Sequence, residues 1–142
     1  MYEDALARID LFHDLRKKEL KDLATFCGER TFSPGSVLLS QGEQGLGLFI
    51  LAKGTVRITR KNHPDGPEEV LGTAGAGEVI GEMALLDDLP RSATVTAVDE
   101  VTALLLPLWE FRLLLRSDPD VGLNLLAVLS RRLRKAEQRA FD

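Results

Sequence analysis

Leu48-Phe49-Ile50-Leu51-Ala52-Lys53-Gly54-Thr55-Val56-Arg57-Ile58-Thr59-Arg60 reads as two short β-rich runs joined at a Lys53-Gly54 turn. In the second run Val56 and Ile58 alternate with Arg57 and Thr59, which turns one strand face toward a core. The same texture extends in both directions, from Glu29 to about Pro107. Further runs cover residues 36–40, 69–73, 94–98 and 101–106. Ser33-Pro34-Gly35, Gln41-Gly42-Glu43 and His63-Pro64-Asp65-Gly66-Pro67 punctuate them with turn chemistry. Strands at such close, even spacing predict a sandwich or a barrel.

Helix flanks this region. Over the first 28 residues Leu6, Ile9, Phe12, Leu15, Leu20, Leu23 and Phe26 recur at steps suited to one helical face. Arg16-Lys17-Lys18-Glu19 opens a second helix, and Gly28 stops the pattern. Pro107 suits a first helical position ahead of residues 108–116. Ser117-Asp118-Pro119-Asp120 then offers an N-cap and another N1 proline for a helix from 121 to roughly 139. Leu123, Leu125, Leu126, Val128, Leu129 and Leu133 cover much of that helix, which therefore wants two partners, the barrel and a second copy of itself. The dimer seam expected is Leu125, Leu129 or Val128, and Leu133. The reading is one domain over 1–142: N-terminal helices at 1–28, a barrel at 29–107, and C-terminal helices at 108–141.

Composition narrows the class. The 142 residues are 44% apolar and 28% charged, as in a soluble globular protein long enough to fold without a disulfide or metal. Net charge is −4, which is not the footprint of a nucleic-acid binder. Arg131, Arg132, Arg134, Lys135 and Arg139 give the C-terminal twelve residues a local +3, and the first 130 carry −7. A single cysteine, Cys27, excludes an intramolecular disulfide and a cysteine-rich zinc site. His13 and His63 lie in no metal-ligand spacing, so no metal is expected. No apolar run reaches a membrane span and no signal peptide opens the chain, which makes the cytoplasm the default.

Special residues concentrate in Gly75-Ala76-Gly77-Glu78-Val79-Ile80-Gly81-Glu82-Met83-Ala84-Leu85-Leu86-Asp87-Asp88-Leu89-Pro90-Arg91-Ser92-Ala93-Thr94-Val95. Gly81 ends an extended stretch and lets backbone approach a ligand. Residues 82–86 are helix formers for about one and a half turns, and a helix start offers unpaired N–H groups to an anion. Arg91 arrives just before a strand, its fork suited to a phosphate, and Ser92 adds a hydroxyl. Glu82 repels a phosphate but accepts a hydrogen bond from a ligand hydroxyl. An anion beside a hydroxyl on a rigid ring is a phosphorylated sugar or a nucleotide. The glycine spacing is off register for the dinucleotide fingerprint. Met83, Leu85 and Leu86 are expected in the core.

Residues 81–86 and 90–95 resemble the phosphate-binding cassette of the cyclic-nucleotide-binding domain family. Phe32-Ser33-Pro34-Gly35-Ser36-Val37-Leu38, Gln41-Gly42-Glu43 and residues 48–56 are also similar to that family's strand-and-turn pattern. The resemblance covers almost the whole chain. It implies a mainly β fold with flanking helices, an eight-stranded jelly-roll barrel enclosing cyclic AMP or cyclic GMP. Glu82 would hold the ribose 2′-hydroxyl and Arg91 the cyclic phosphate. Ser92 and backbone amides around Gly81, Met83, Ala84 and Ala93 would complete the anion site. In catabolite activator proteins a hydroxyl pair on the last helix contacts adenine; aligned on Arg131-Arg132-Leu133, those positions fall on Ala136 and Glu137. Arg132 would reach the ligand's edge or pair with Glu82. The base preference stays open between the two nucleotides.

Three function classes follow. A regulatory sensor binds the nucleotide and signals by movement of its C-terminal helix to an unknown downstream protein. A transcription factor needs a helix-turn-helix, and nothing after Arg139 enters a major groove, so the chain is a stand-alone sensor or a fragment of a larger regulator and makes no nucleic-acid contact alone. An enzyme needs clustered ligands or a triad-like set, and the spacing shows neither. A degenerate family member acting as a protein-interaction module is the remaining alternative, marked by loss of Glu82 or Arg91, both of which are present.

Overall fold

The computed structural model describes residues 2–9, 12, 15–45, 47–81 and 90–141. Among these residues are eight strands: β1 (Gly28–Phe32), β2 (Val37–Leu39), β3 (Gly47–Lys53), β4 (Val56–Lys61), β5 (Glu68–Ala74), β6 (Val79–Ile80), β7 (Thr94–Ala97) and β8 (Val101–Pro107). They form two four-stranded antiparallel sheets, ordered β1-β8-β3-β6 and β2-β7-β4-β5. The fold is mainly β with flanking helices and eight strands, as expected. The barrel is open, however, since no ladder among the described residues joins the two sheets.

Alternation explains the β core. Val56 and Ile58 of β4 lie opposite Ala97 and Val95 of β7. These side chains, with Phe49 and Leu51 from β3, Ile80 from β6, and Val101 and Ala103 from β8, form one apolar cluster drawn from both sheets. Phe32 meets Phe49 edge-on at 5.8 Å. Burial of such a side chain contributes about 1.5–3 kcal/mol. Thr59 departs from the expected polar, outward face: it is 1% exposed and its hydroxyl has no hydrogen-bond partner among the described residues. It lines a cavity of about 570 Å³ with Gln41, Lys61, His63, Glu68 and Thr94. At the rim of that cavity the Gln41 side chain acts as a short strand, donating from Nε2 to the Lys61 carbonyl at 2.7 Å and accepting from the Lys61 N–H at 2.8 Å.

The β unit spans Phe26–Trp109, and a helical unit gathers Met1–Thr25 with Glu110–Asp142. Its helices are α1 (Glu3–Ala7), α2 (Lys17–Phe26), α3 (Leu108–Ser117) and α4 (Pro119–Phe141). Phe12 and Phe111 stack at 6.1 Å within it. Arg16 caps α2 together with Glu19, whose Oε1 accepts from the Arg16 N–H at 2.9 Å and from Nε at 3.0 Å. Pro119 opens α4 as expected, with Asp118 Oδ1 accepting from the Asp120 N–H at 3.1 Å.

Several boundaries differ from the expectation. Gly28 starts β1 instead of ending a helix. Pro107 ends β8 opposite Gly47, so α3 begins one residue later. Of the seam residues expected on α4, Leu125 and Val128 are buried within the chain, and Leu133 is 61% exposed alongside Leu123 and Leu126. His13, Glu82, Met83, Ala84, Leu85 and Leu86 lie outside the described residues.

Candidate functional site

Among the described residues Arg91 is the buried cation of the β unit, 6% exposed. Three segments hold it. Its backbone is clamped by the loop between β2 and β3: the Arg91 N–H donates to the Glu43 carbonyl and the Gly42 N–H donates to the Arg91 carbonyl, both at 2.8 Å. Its guanidinium is clamped by the ends of two strands. Nη1 donates to the Gly81 carbonyl at 2.6 Å just after β6, and Nη2 donates to the Gly47 carbonyl at the start of β3. A guanidinium has five N–H donors in a fixed plane. Two carbonyls therefore fix the orientation of that plane.

Glycine makes the seat possible. A Cβ on Gly81 would collide with Arg91 Nη1, and Gly81 also holds φ +84°, a conformation that side-chained residues rarely adopt. Gly81 was expected to bring backbone close to a ligand; here it brings backbone close to the arginine. Arg91 then forms one wall of a cavity of about 170 Å³, with Leu39, Glu43, Gly45, Phe49 and Leu105 among its other walls. Apolar walls around a fixed cation suit a small ligand with one anionic group, because the low-dielectric surroundings strengthen the pairing. The larger cavity at Thr59 is lined by neither Gly81 nor Arg91.

The other expected site residues divide plainly. Gly81 and Arg91 are brought together by a hydrogen bond. Ser92 follows Arg91 as an exposed residue, and Ala93 is half-buried. Arg132 is an exposed residue of α4. Glu82, Met83 and Ala84 fall in the stretch outside the described residues. The sequence reading missed Gly42, Glu43, Gly45 and Gly47, which enter the site through carbonyls, an N–H and empty space. Gln41-Gly42-Glu43 stood out as a turn similar to the family's pattern, and Gly45 and Gly47 only as glycines beyond it, neither of which marks a site.

Groups that a catalytic reading would need are differently placed. Burial pushes the Cys27 thiol up to about 11, which keeps it protonated and unreactive near neutral pH. His63 is exposed in the turn between β4 and β5. Among the described residues no three of His, Cys, Asp and Glu gather as metal ligands, and no helix is long and apolar enough to cross a membrane.

Known proteins share this fold. The sequence model of the cyclic nucleotide-binding domain matches residues 29–118. The chain is 39% identical over 127 residues to the cyclic AMP receptor protein of Thermus thermophilus, covering 89% of this chain and 58% of that protein. It is 35% identical over 97 residues to a cAMP-dependent protein kinase regulatory subunit of Yarrowia lipolytica, covering 68% of this chain and 25% of that one. The crystal structure of the N-terminal domain of a transcriptional regulator from Streptomyces coelicolor superposes with a TM-score of 0.81 at 36% identity, covering 96% of this chain and 95% of that one. The chain thus spans less than two thirds of the length of these two curated relatives.

Proposed function

The chain is a member of the cyclic nucleotide-binding domain family, and on that premise we propose that it is a non-enzymatic regulatory sensor whose ligand is cyclic AMP or cyclic GMP. The observation that carries this reading is the seated Arg91, a buried guanidinium fixed by the Gly47 and Gly81 carbonyls on the wall of a largely apolar cavity. Arg91 pairs with the cyclic phosphate, a charge-assisted contact worth about 1.5–3 kcal/mol. Gly81, Met83, Ala84 and Ala93 supply backbone around the phosphate, Ser92 adds a hydroxyl, and Glu82 accepts from the ribose 2′-hydroxyl. Arg132 meets the ligand's edge from α4. The printed names of the Thermus and Yarrowia relatives favour cyclic AMP as the first ligand to test.

Signalling runs through a shift in α4, which requires that ligand binds one arrangement of that helix better than another. The 1–142 segment acts as one domain, in the cytoplasm, on a downstream protein, and as a homodimer through the exposed leucines of α4. Its −4 charge favours a role in which this segment makes no nucleic-acid contact itself.

Calorimetric titration with cyclic AMP, cyclic GMP and 5′-AMP tests the reading. One cyclic nucleotide is expected to bind with 1:1 stoichiometry per chain and 5′-AMP much more weakly. Equal binding of 5′-AMP would point to a general nucleotide site, and binding of none would leave a protein-interaction module with this fold.

A further inference from the structure

We propose that Gly45 is a positioning residue for Arg91: the missing side chain at position 45 is what allows the guanidinium to seat on the carbonyls of Gly47 and Gly81. The proposal rests on the reading of Arg91 as the phosphate-binding residue and adds the residue that holds it in place. A Cβ on Gly45 would lie 2.6 Å from Arg91 Cζ, 2.7 Å from Nε and 2.8 Å from Nη2, against 3.4–4 Å for ordinary contact. All three nearest atoms belong to Arg91.

Backbone geometry does not explain a glycine here. Gly42 and Gly81 hold φ values of +87° and +84°, whereas Gly45 is not among the glycines with positive φ. The nearest obstacle to an alanine at 45 is therefore the guanidinium. That obstacle is the far end of a flexible side chain, so it yields before the fold does. In yielding it leaves the Gly47 and Gly81 carbonyls and loses the orientation that presents its fork to a phosphate. The same loop already grips the Arg91 backbone through Gly42 and Glu43, so residues 42–47 set both ends of the arginine.

Wild type, Gly45→Ala, Arg91→Ala and the double variant separate this role from a structural one. Each is titrated with cyclic AMP and cyclic GMP and unfolded thermally without nucleotide. Gly45→Ala is expected to weaken binding at least about tenfold, or about 1.4 kcal/mol, and to add nothing to the loss in the Arg91→Ala background. If Gly45→Ala lowers Tm or fails to fold, Arg91→Ala in the same chain is expected to restore the fold by removing the obstacle. Wild-type affinity in Gly45→Ala overturns the proposal, as does a loss of affinity or stability that is equal with and without Arg91. If wild type binds neither nucleotide, the functional reading fails on its own, and the seat is read from the Arg91 Nε–H resonance. Slow solvent exchange in wild type that becomes fast in Gly45→Ala supports the seat, and an unchanged resonance overturns it.

Discussion

Glu19 shows how one buried carboxylate fixes a helix start. It is 8% exposed; burial pushes its carboxyl up, yet the hydrogen bonds from the Arg16 N–H and side chain outweigh that and hold it below the ordinary range. Its second oxygen is buried without a hydrogen-bond partner, so the arrangement depends on Arg16 alone among the described residues. An unfolded glutamate titrates near 4.3. Because the folded value is lower, the stabilisation is complete above the unfolded value and is lost as pH falls through the folded one. Glu19→Gln is expected to cost about 1–2 kcal/mol at pH 7, or roughly 2–8 °C in Tm for a chain of this size. The gap between the two proteins should close as pH falls below about 4; a gap as wide at pH 3 as at pH 7 would contradict the account. The Arg16-Lys17-Lys18-Glu19 stretch reads as the opening of a second helix, and α2 begins at Lys17; the hold of Glu19 on the Arg16 N–H is seen only in the structure. The seat of Arg91 was legible only in part. The arginine itself stood out by its chemistry, but Gly45 and Gly47 act through space and carbonyls, which no side-chain pattern advertises.

At the scale of elements, α4 carries two apolar faces. Val121, Leu125 and Val128 are buried at steps of four and three, while Leu123, Leu126 and Leu133 are 61–63% exposed at steps of three and seven. A stripe of three exposed leucines on one helix face is costly to leave in water, and in the proposed homodimer a second copy of the same helix would cover it with the same residues. Sedimentation of the wild-type chain is expected to show a dimer and Leu126→Glu a monomer with unchanged helical circular dichroism. A monomeric wild type at tens of micromolar would contradict that use of the stripe. The sequence identified this helix and its apolar excess but drew the seam through Leu125, Leu129 or Val128, and Leu133, mixing buried and exposed positions, because periodicity alone cannot say which of two apolar faces the chain itself covers. Strand reading had the same limit. Six of the eight strands were found near their places, whereas β1, with three exposed residues of five, and the two-residue β6 carry too little alternation to be seen.

For the whole molecule, the proposed ligand site of the β unit, organised around Arg91, couples binding and stability through one guanidinium. Such coupling is measurable because a ligand that binds only the folded chain stabilises it by mass action, about 2.7 kcal/mol at one hundred times its dissociation constant. At roughly 2–4 °C per kcal/mol, that is a rise of about 5–11 °C. Thermal unfolding of wild type and Arg91→Ala, with and without saturating cyclic AMP or cyclic GMP, therefore tests the account most directly. The account predicts a rise of that size with one of the two nucleotides in wild type and nearly none in Arg91→Ala. An equal rise in both proteins would move the ligand away from Arg91, and no rise in wild type would contradict the sensor itself.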